Sequence, residues 1–199
     1  MYDIDDLKNL VDMAAGGRSP ADLLITNAKL VDVLTGEIRE TDVSVGGGKI
    51  LGFSHTEAVK VVDAQGAYLL PGLIDAHIHI ESSMVSPARF AGLVLPHGTT
   101  SVVADPHEIA NVHGLEGIRY MLENGRHLPL NIFIALPSCV PATPFEDSGA
   151  VLSAEELEEL IDDPKVTGIG EMMNFPGVVS GDYDVLAKIQ LGTSHGKIV

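Results

Sequence analysis

The chain has 199 residues, 45% of them hydrophobic, which is enough for a real core in one or two domains. It carries 28 acidic against 12 basic residues, a net charge of −16. That balance excludes a protein built to grip a nucleic-acid backbone, which needs a basic face.

In chain order, residues 4–15 have Leu7, Leu10, Val11 and Ala14 at helical spacing, which predicts a short amphipathic helix. Gly16 and Gly17 are expected to stop it. Residues 1–12 are acidic and lack an apolar core, so no signal peptide is expected. No run in the chain approaches the roughly 20 apolar residues of a membrane helix. Between 21 and 70 the period changes. Short apolar runs at 23–25, 29–33, 41–45, 49–53, 59–63 and 67–70 alternate with Asn27, Gly36 and Gly46 to Gly48, which predicts a small β-sandwich or sheet. His55 falls in a polar loop there. Residues 1–68 are expected to form this helix and β-sandwich portion, and 69–199 a second domain.

From 73 onward the rhythm is strand, loop, helix. Strands are expected at 73–79, 99–104, 131–136 and 166–170, and helices at 87–95, 112–124, 153–161 and 183–193. Ser86 precedes Pro87 as a candidate cap, and Ser153 with Glu156 forms a capping box. Residues 197–199 look like a fifth strand beginning. Alternating β and α units predict a parallel sheet with right-handed crossovers. Four units and a fresh strand make an α/β chain, the first half of a (β/α)8 barrel preceded by the small β-portion.

The candidate chemistry lies where each strand ends. His77 and His79 are two apart, so in a strand they share a face, with Glu81 just beyond. Two imidazoles on one face can bind one transition metal. The second strand ends in Asp105, Pro106, His107 and Glu108. The third ends in Ser138 and Cys139, the fourth in Glu171. In such barrels the strands' C-terminal ends form one mouth. A carboxylate closing the apolar run 166–170 would be costly if buried unpaired, and a metal pair would satisfy it. Asp105, His107 and Glu108 read as groups supporting a metal, substrate ligands or proton carriers, or alternatively as a turn and helix cap. A zincin is excluded, because position 111 is Asn111 and His113 is out of register. His97 sits at a helix end. His127 and His195 read as surface loop residues, and Met172 and Met173 as pocket wall. Cys139 is the only cysteine, so no disulfide within the chain and no four-cysteine zinc site exist. It has no neighbouring base, and a reducing cytoplasm is the expected location.

Residues 71–79, Pro-Gly-Leu-Ile-Asp-Ala-His-Ile-His, resemble the first-strand signature of the amidohydrolase superfamily. With residues 80–84, 99–112 and 168–178, the pattern is similar to the bacterial and archaeal adenine deaminases of that superfamily. The resemblance implies hydrolysis of adenine to hypoxanthine and ammonia in purine salvage, at a binuclear Mn2+ or Fe2+ site in a metal-dependent hydrolase barrel. It implies that His77 and His79 bind metal, and that Glu171 stands where many relatives carry a carbamylated lysine. It also implies a metal-bound water as nucleophile. Glu81, Ser82, Asp105, His107 and Glu108 are candidate catalytic or substrate-binding residues. Relatives run far longer. The expectation is therefore a truncated chain, inactive alone, with the general base beyond residue 199. The expected partners are adenine and either a second copy or a complementary C-terminal half, with neither nucleic acid nor membrane. Two other readings remain: an amidohydrolase of cyclic amides, of dihydroorotase or hydantoinase type, and a non-catalytic metal-binding half-barrel.

Overall fold

A computed structural model describes residues 3–15, 18–54 and 56–199, so the readings at Gly16, Gly17 and His55 lie outside the described residues. The chain forms two compact units, Met1–Pro71 and Gly72–Val199.

The first unit opens with α1, Ile4–Ala14, capped by the Asp3 carboxylate on the Asp6 amide at 2.7 Å. Its strands are β1 (Ala21–Val31), β2 (Ile38–Gly46), β3 (Lys49–Gly52), β4 (Ala58–Asp63) and β5 (Tyr68–Leu69). They form one mixed sheet in the order β3-β2-β1-β4, with β5 also pairing β1. The runs 23–25 and 29–33 turn out to belong to a single strand. Asn27 sits between them at φ 54° in a bulge, where the register with β2 shifts between Ile25 and Ala28. Its backbone N–H donates to Asp42 Oδ1 at 3.2 Å and its amide to Asp63 Oδ1 at 2.9 Å, so polar neighbours hold the bulge.

The second unit contains β6 (Leu73–Ile78), α2 (Pro87–Val94), β7 (Thr99–Ala104), α3 (His107–Gly125), β8 (Asn131–Leu136), α4 (Ala154–Glu158), β9 (Val166–Ile169), α5 (Phe175–Ser180) and α6 (Tyr183–Ser194). Its sheet runs β6-β7-β8-β9, every pair parallel and in sequence order. Ile198 adds one parallel bridge to Gly168, and the Ile169 amide donates to its carbonyl at 2.9 Å, so a fifth strand begins on the β9 edge. Alternation separates the two faces of this sheet. Val102, Ala104, Ile132, Ile134 and Leu136 are buried in the core, which includes Ile118, Met121 and Leu157 from the helices. Val103, Ala135 and Thr167 face the other way, into an open cleft of about 570 Å³ that reaches His77 and Glu171.

Several elements of this unit depart from expectation. α3 starts at His107, five residues before the expected 112, and breaks at Gly114 (φ 59°, ψ −141°), a left-handed backbone that a side chain would strain. Strand β6 stops at Ile78, and Ile80–Ser83 wind into a 3-10 turn. The period of two therefore ends before Glu81. Residues 175–180 form α5, unforeseen because six residues show little periodicity; the Asn174 side chain caps it by accepting the Gly177 amide at 3.0 Å.

Arg126, just past α3, donates to Glu123 Oε1 at 2.8 Å and to Asp163 Oδ2 at 2.6 Å. Burial pushes the Asp163 carboxyl up, but the Lys165 amide and the Arg126 guanidinium outweigh it and hold the group below its ordinary value. A carboxyl lowered in the folded state stabilises the fold above its unfolded pKa, about 3.9, and that contribution fades as pH falls below it. Asp163→Asn should therefore shallow the loss of stability below about pH 4. Urea midpoints across pH 2.5–6 check this, and parallel curves for the two proteins would refute it.

Candidate metal centre

The site forms where β6, β7 and β9 end. His77 is the penultimate residue of β6 and His79 follows the strand, so the extended backbone turns both rings to one side. The ring centroids are 4.8 Å apart, edge to face. Across the sheet, Gly170 follows β9 and presents Glu171. Its Oε1 lies 3.4 Å from His79 Nε2, 3.8 Å from His77 Nε2 and 3.9 Å from His107 Nδ1. His77, His79 and Glu171 thus converge, with side chains 49%, 23% and 43% exposed.

The His79 ring is oriented from behind. Its Nδ1 lies 2.8 Å from the Asp105 carbonyl oxygen. A carbonyl can only accept, so Nδ1 carries a proton, and in a ring with one proton the Nε2 lone pair is the atom turned toward Glu171. A lone pair facing a carboxylate is repulsive unless a cation lies between them. Donors held tetrahedrally at about 2.1 Å from one ion are roughly 3.4 Å apart, close to the spacings seen here.

Asp105 and His107 make the second cluster. Asp105 is 1% exposed, and its Oδ2 accepts the Glu171 amide at 3.2 Å. Its Oδ1 lies 3.5 Å from His107 Nδ1, and neither atom has a hydrogen-bond partner among the described residues. Burial pushes the Asp105 carboxyl up, against the pull of His107, His79 and the Glu171 amide. Two sets, His77–His79–Glu171 and His79–Asp105–His107, therefore each hold three donor atoms within 4.8 Å of one another and share His79. Orphaned buried acceptors and a convergent nitrogen–oxygen donor set fit a divalent metal.

The other candidates sit outside this convergence. Glu81, in the 3-10 turn, accepts the Ile109 amide at 3.2 Å through Oε1, while its Oε2 is buried without a partner among the described residues. The Ser82 hydroxyl donates to Glu108 Oε1. These groups tie the turn after β6 to the first turn of α3, which carries His107. His195, read as a surface residue, has Nδ1 2.9 Å from Asp162 Oδ1.

The sequence places Ser138 and Cys139 at the end of the third strand but gives neither a role in the site. The Ser138 hydroxyl donates to the Glu171 carbonyl, and the Asn174 amide donates to Cys139 Sγ at 3.2 Å. Both contacts cross more than 30 positions of sequence, so no local pattern announces them.

A sequence model described as "Amidohydrolase family" matches residues 68–199. The chain belongs to the amidohydrolase family. Among curated relatives, an adenine deaminase from Nitratidesulfovibrio vulgaris is 63% identical over 97% of this amidohydrolase chain and 33% of its own. Adenine deaminases from Desulfatibacillum aliphaticivorans and Halalkalibacterium halodurans are 51% and 50% identical, over 94% and 93% of the chain. The chain spans about a third of the length of the curated relatives it matches. Of solved structures, a D-aminoacylase superposes with a TM-score of 0.61 at 18% identity, covering 89% of this chain and 44% of its own. A Bordetella bronchiseptica N-acyl-D-glutamate deacylase, solved with zinc and a phosphonate inhibitor, gives 0.60 at 16%, over 90% and 44%. The four parallel strands of this amidohydrolase are thus the first part of a hydrolase barrel, with a sheet portion before them. Among the described residues no helix is long and apolar enough to cross a membrane.

Proposed function

We propose that the chain supplies the first ligands of a binuclear Mn2+ or Fe2+ site for the hydrolysis of adenine to hypoxanthine and ammonia, in cytoplasmic purine salvage. The observation that carries this is the convergence of His77 Nε2 and His79 Nε2 on one Glu171 oxygen. The relatives sharing half or more of the sequence are adenine deaminases, which supports adenine as the substrate. A carboxylate rather than a lysine at 171 speaks against the dihydroorotase and hydantoinase types.

His77, His79 and Glu171 would hold the ions, with Asp105 and His107 at hand as further ligands or proton holders. When bound, such ions acidify a water and polarise the atom it attacks. Asp105 fixes the His79 tautomer through its carbonyl. Glu81, Ser82 and Glu108 set the start of α3 and so place His107. The two donor sets give each ion of a pair few ligands, because they share His79. Catalysis then needs further donors from another part of the protein or from a complementary chain.

The test is complementation. The chain is co-expressed with the part of the Nitratidesulfovibrio vulgaris relative that it does not match, purified with Mn2+, and assayed with adenine, dihydroorotate and hydantoin. Hypoxanthine should form from the combination and not from the chain alone. Hydrolysis of either cyclic amide instead of adenine would sink the substrate assignment.

A further inference from the structure

Glu171 is the donor on which His77, His79 and His107 converge, yet among the described residues no hydrogen bond holds its carboxylate. Its Oε1 faces three imidazole nitrogens, and its side chain is 43% exposed. Its direction must therefore come from the backbone beneath it.

That backbone is gripped on both sides. The Glu171 amide donates to Asp105 Oδ2 at 3.2 Å, and the Glu171 carbonyl accepts the Ser138 hydroxyl. Ser138 is 1% exposed. Its other polar neighbour is Cys139 Sγ at 3.1 Å, a weak acceptor, so the carbonyl is the stronger claim on its proton. Cys139 continues the grip by accepting the Asn174 amide at 3.2 Å, and its thiol lies 3.7 Å from Met172 Sδ. The loop after β8 thus clasps the loop after β9 over residues 171–174.

We infer that Ser138 is a positioning residue for Glu171: its hydroxyl fixes the Glu171 peptide so that the carboxylate stays between His77 and His79. This rests on the metal reading given above. A donor displaced by a fraction of an ångström weakens a metal site, and loss of an orienting partner typically costs about 10–100-fold in metal affinity.

The experiment is a double-mutant cycle on Mn2+ affinity in the 199-residue chain, read from the paramagnetic resonance of free ion. Ser138→Ala should weaken Mn2+ binding about tenfold. In a Glu171→Ala background the same change should leave the residual affinity unaltered, because there is no carboxylate left to place. Ser138→Thr, which keeps the hydroxyl, should restore most of the loss. An equal loss in both backgrounds would show a merely structural serine and overturn the inference, as would no loss in either. If Glu171→Ala itself leaves affinity unchanged, the metal reading falls and this role falls with it. Should Ser138→Ala fail to fold, Ser138→Cys, which retains a weak donor, makes the same comparison.

Discussion

His79→Ala should weaken Mn2+ binding by more than the roughly 10–100-fold that follows loss of an orienting partner, because it would remove a proposed ligand outright. Its effect should also exceed that of His77→Ala. Both rings offer Nε2 to the same Glu171 oxygen, but His79 is the nearer, at 3.4 Å against 3.8 Å. His79 alone has its tautomer fixed by a backbone carbonyl, and it alone belongs to both candidate donor sets. His77 is twice as exposed, and among the described residues no hydrogen bond ties its ring. Removing it should still lower affinity. Titration of the three proteins with Mn2+ decides the order. Equal affinity for His79→Ala and the parent would remove the metal centre from this mouth.

A second large effect is expected from Gly170→Ala. A Cβ there would lie 2.1 Å from Asp105 Oδ2 and 3.3 Å from the Leu136 carbonyl oxygen. Gly170 also donates its amide to that carbonyl at 2.7 Å, so the strand end cannot slide away without losing a ladder bond. Asp105 must move instead, although it is 1% exposed and packed. Overpacking a core costs about 1–3 kcal/mol, and a buried carboxylate stripped of its donor adds about 1–3 kcal/mol. The variant should therefore lose roughly 2–6 kcal/mol by urea unfolding, and its Mn2+ affinity should drop as Asp105 releases the Glu171 amide. Gly36→Ala is the control. Unlike Gly170 it has a positive φ to strain, yet nothing lies within 4 Å of its added carbon, so it should lose less than Gly170→Ala. A Gly170→Ala protein as stable as the parent would mean that Asp105 yields freely, and that the grip on Glu171 is loose.

Much of this mouth can be read from the sequence, for a physical reason. The parallel strands read as apolar runs, so His77, His79, Asp105 and Glu171 stand out where those runs end. What stays hidden is set by contacts distant in sequence or by single backbone angles. Thr26 and Asn27 look like a break between two strands, because a bulge and a turn use the same residue types. Glu81 keeps the parity of His77 and His79 on paper, but the chain leaves the strand at Ile78 and takes its carboxylate to the Ile109 amide. The early start of α3 is masked by Pro106 before it and by Gly114 within it. Ser138 is an ordinary serine in a loop until the fold brings Glu171 to it.

The break at Gly114 reaches beyond the helix. It accompanies a bare carbonyl at Asn111, which accepts the Gly149 amide at 2.8 Å and the Ser148 hydroxyl at 3.1 Å. The Leu152 amide in turn donates to the Val140 carbonyl at 3.0 Å. Residues 137–152, which leave β8 through Ser138 and Cys139, are thus moored at their far end to a defect in the neighbouring helix. Segments without regular structure are usually the first to open in native-state exchange. Here the opening of the outer half of the segment strips partners from the helix break. Opening of the inner half frees the peptide that aims Glu171. Local unfolding of this segment would therefore loosen the proposed site.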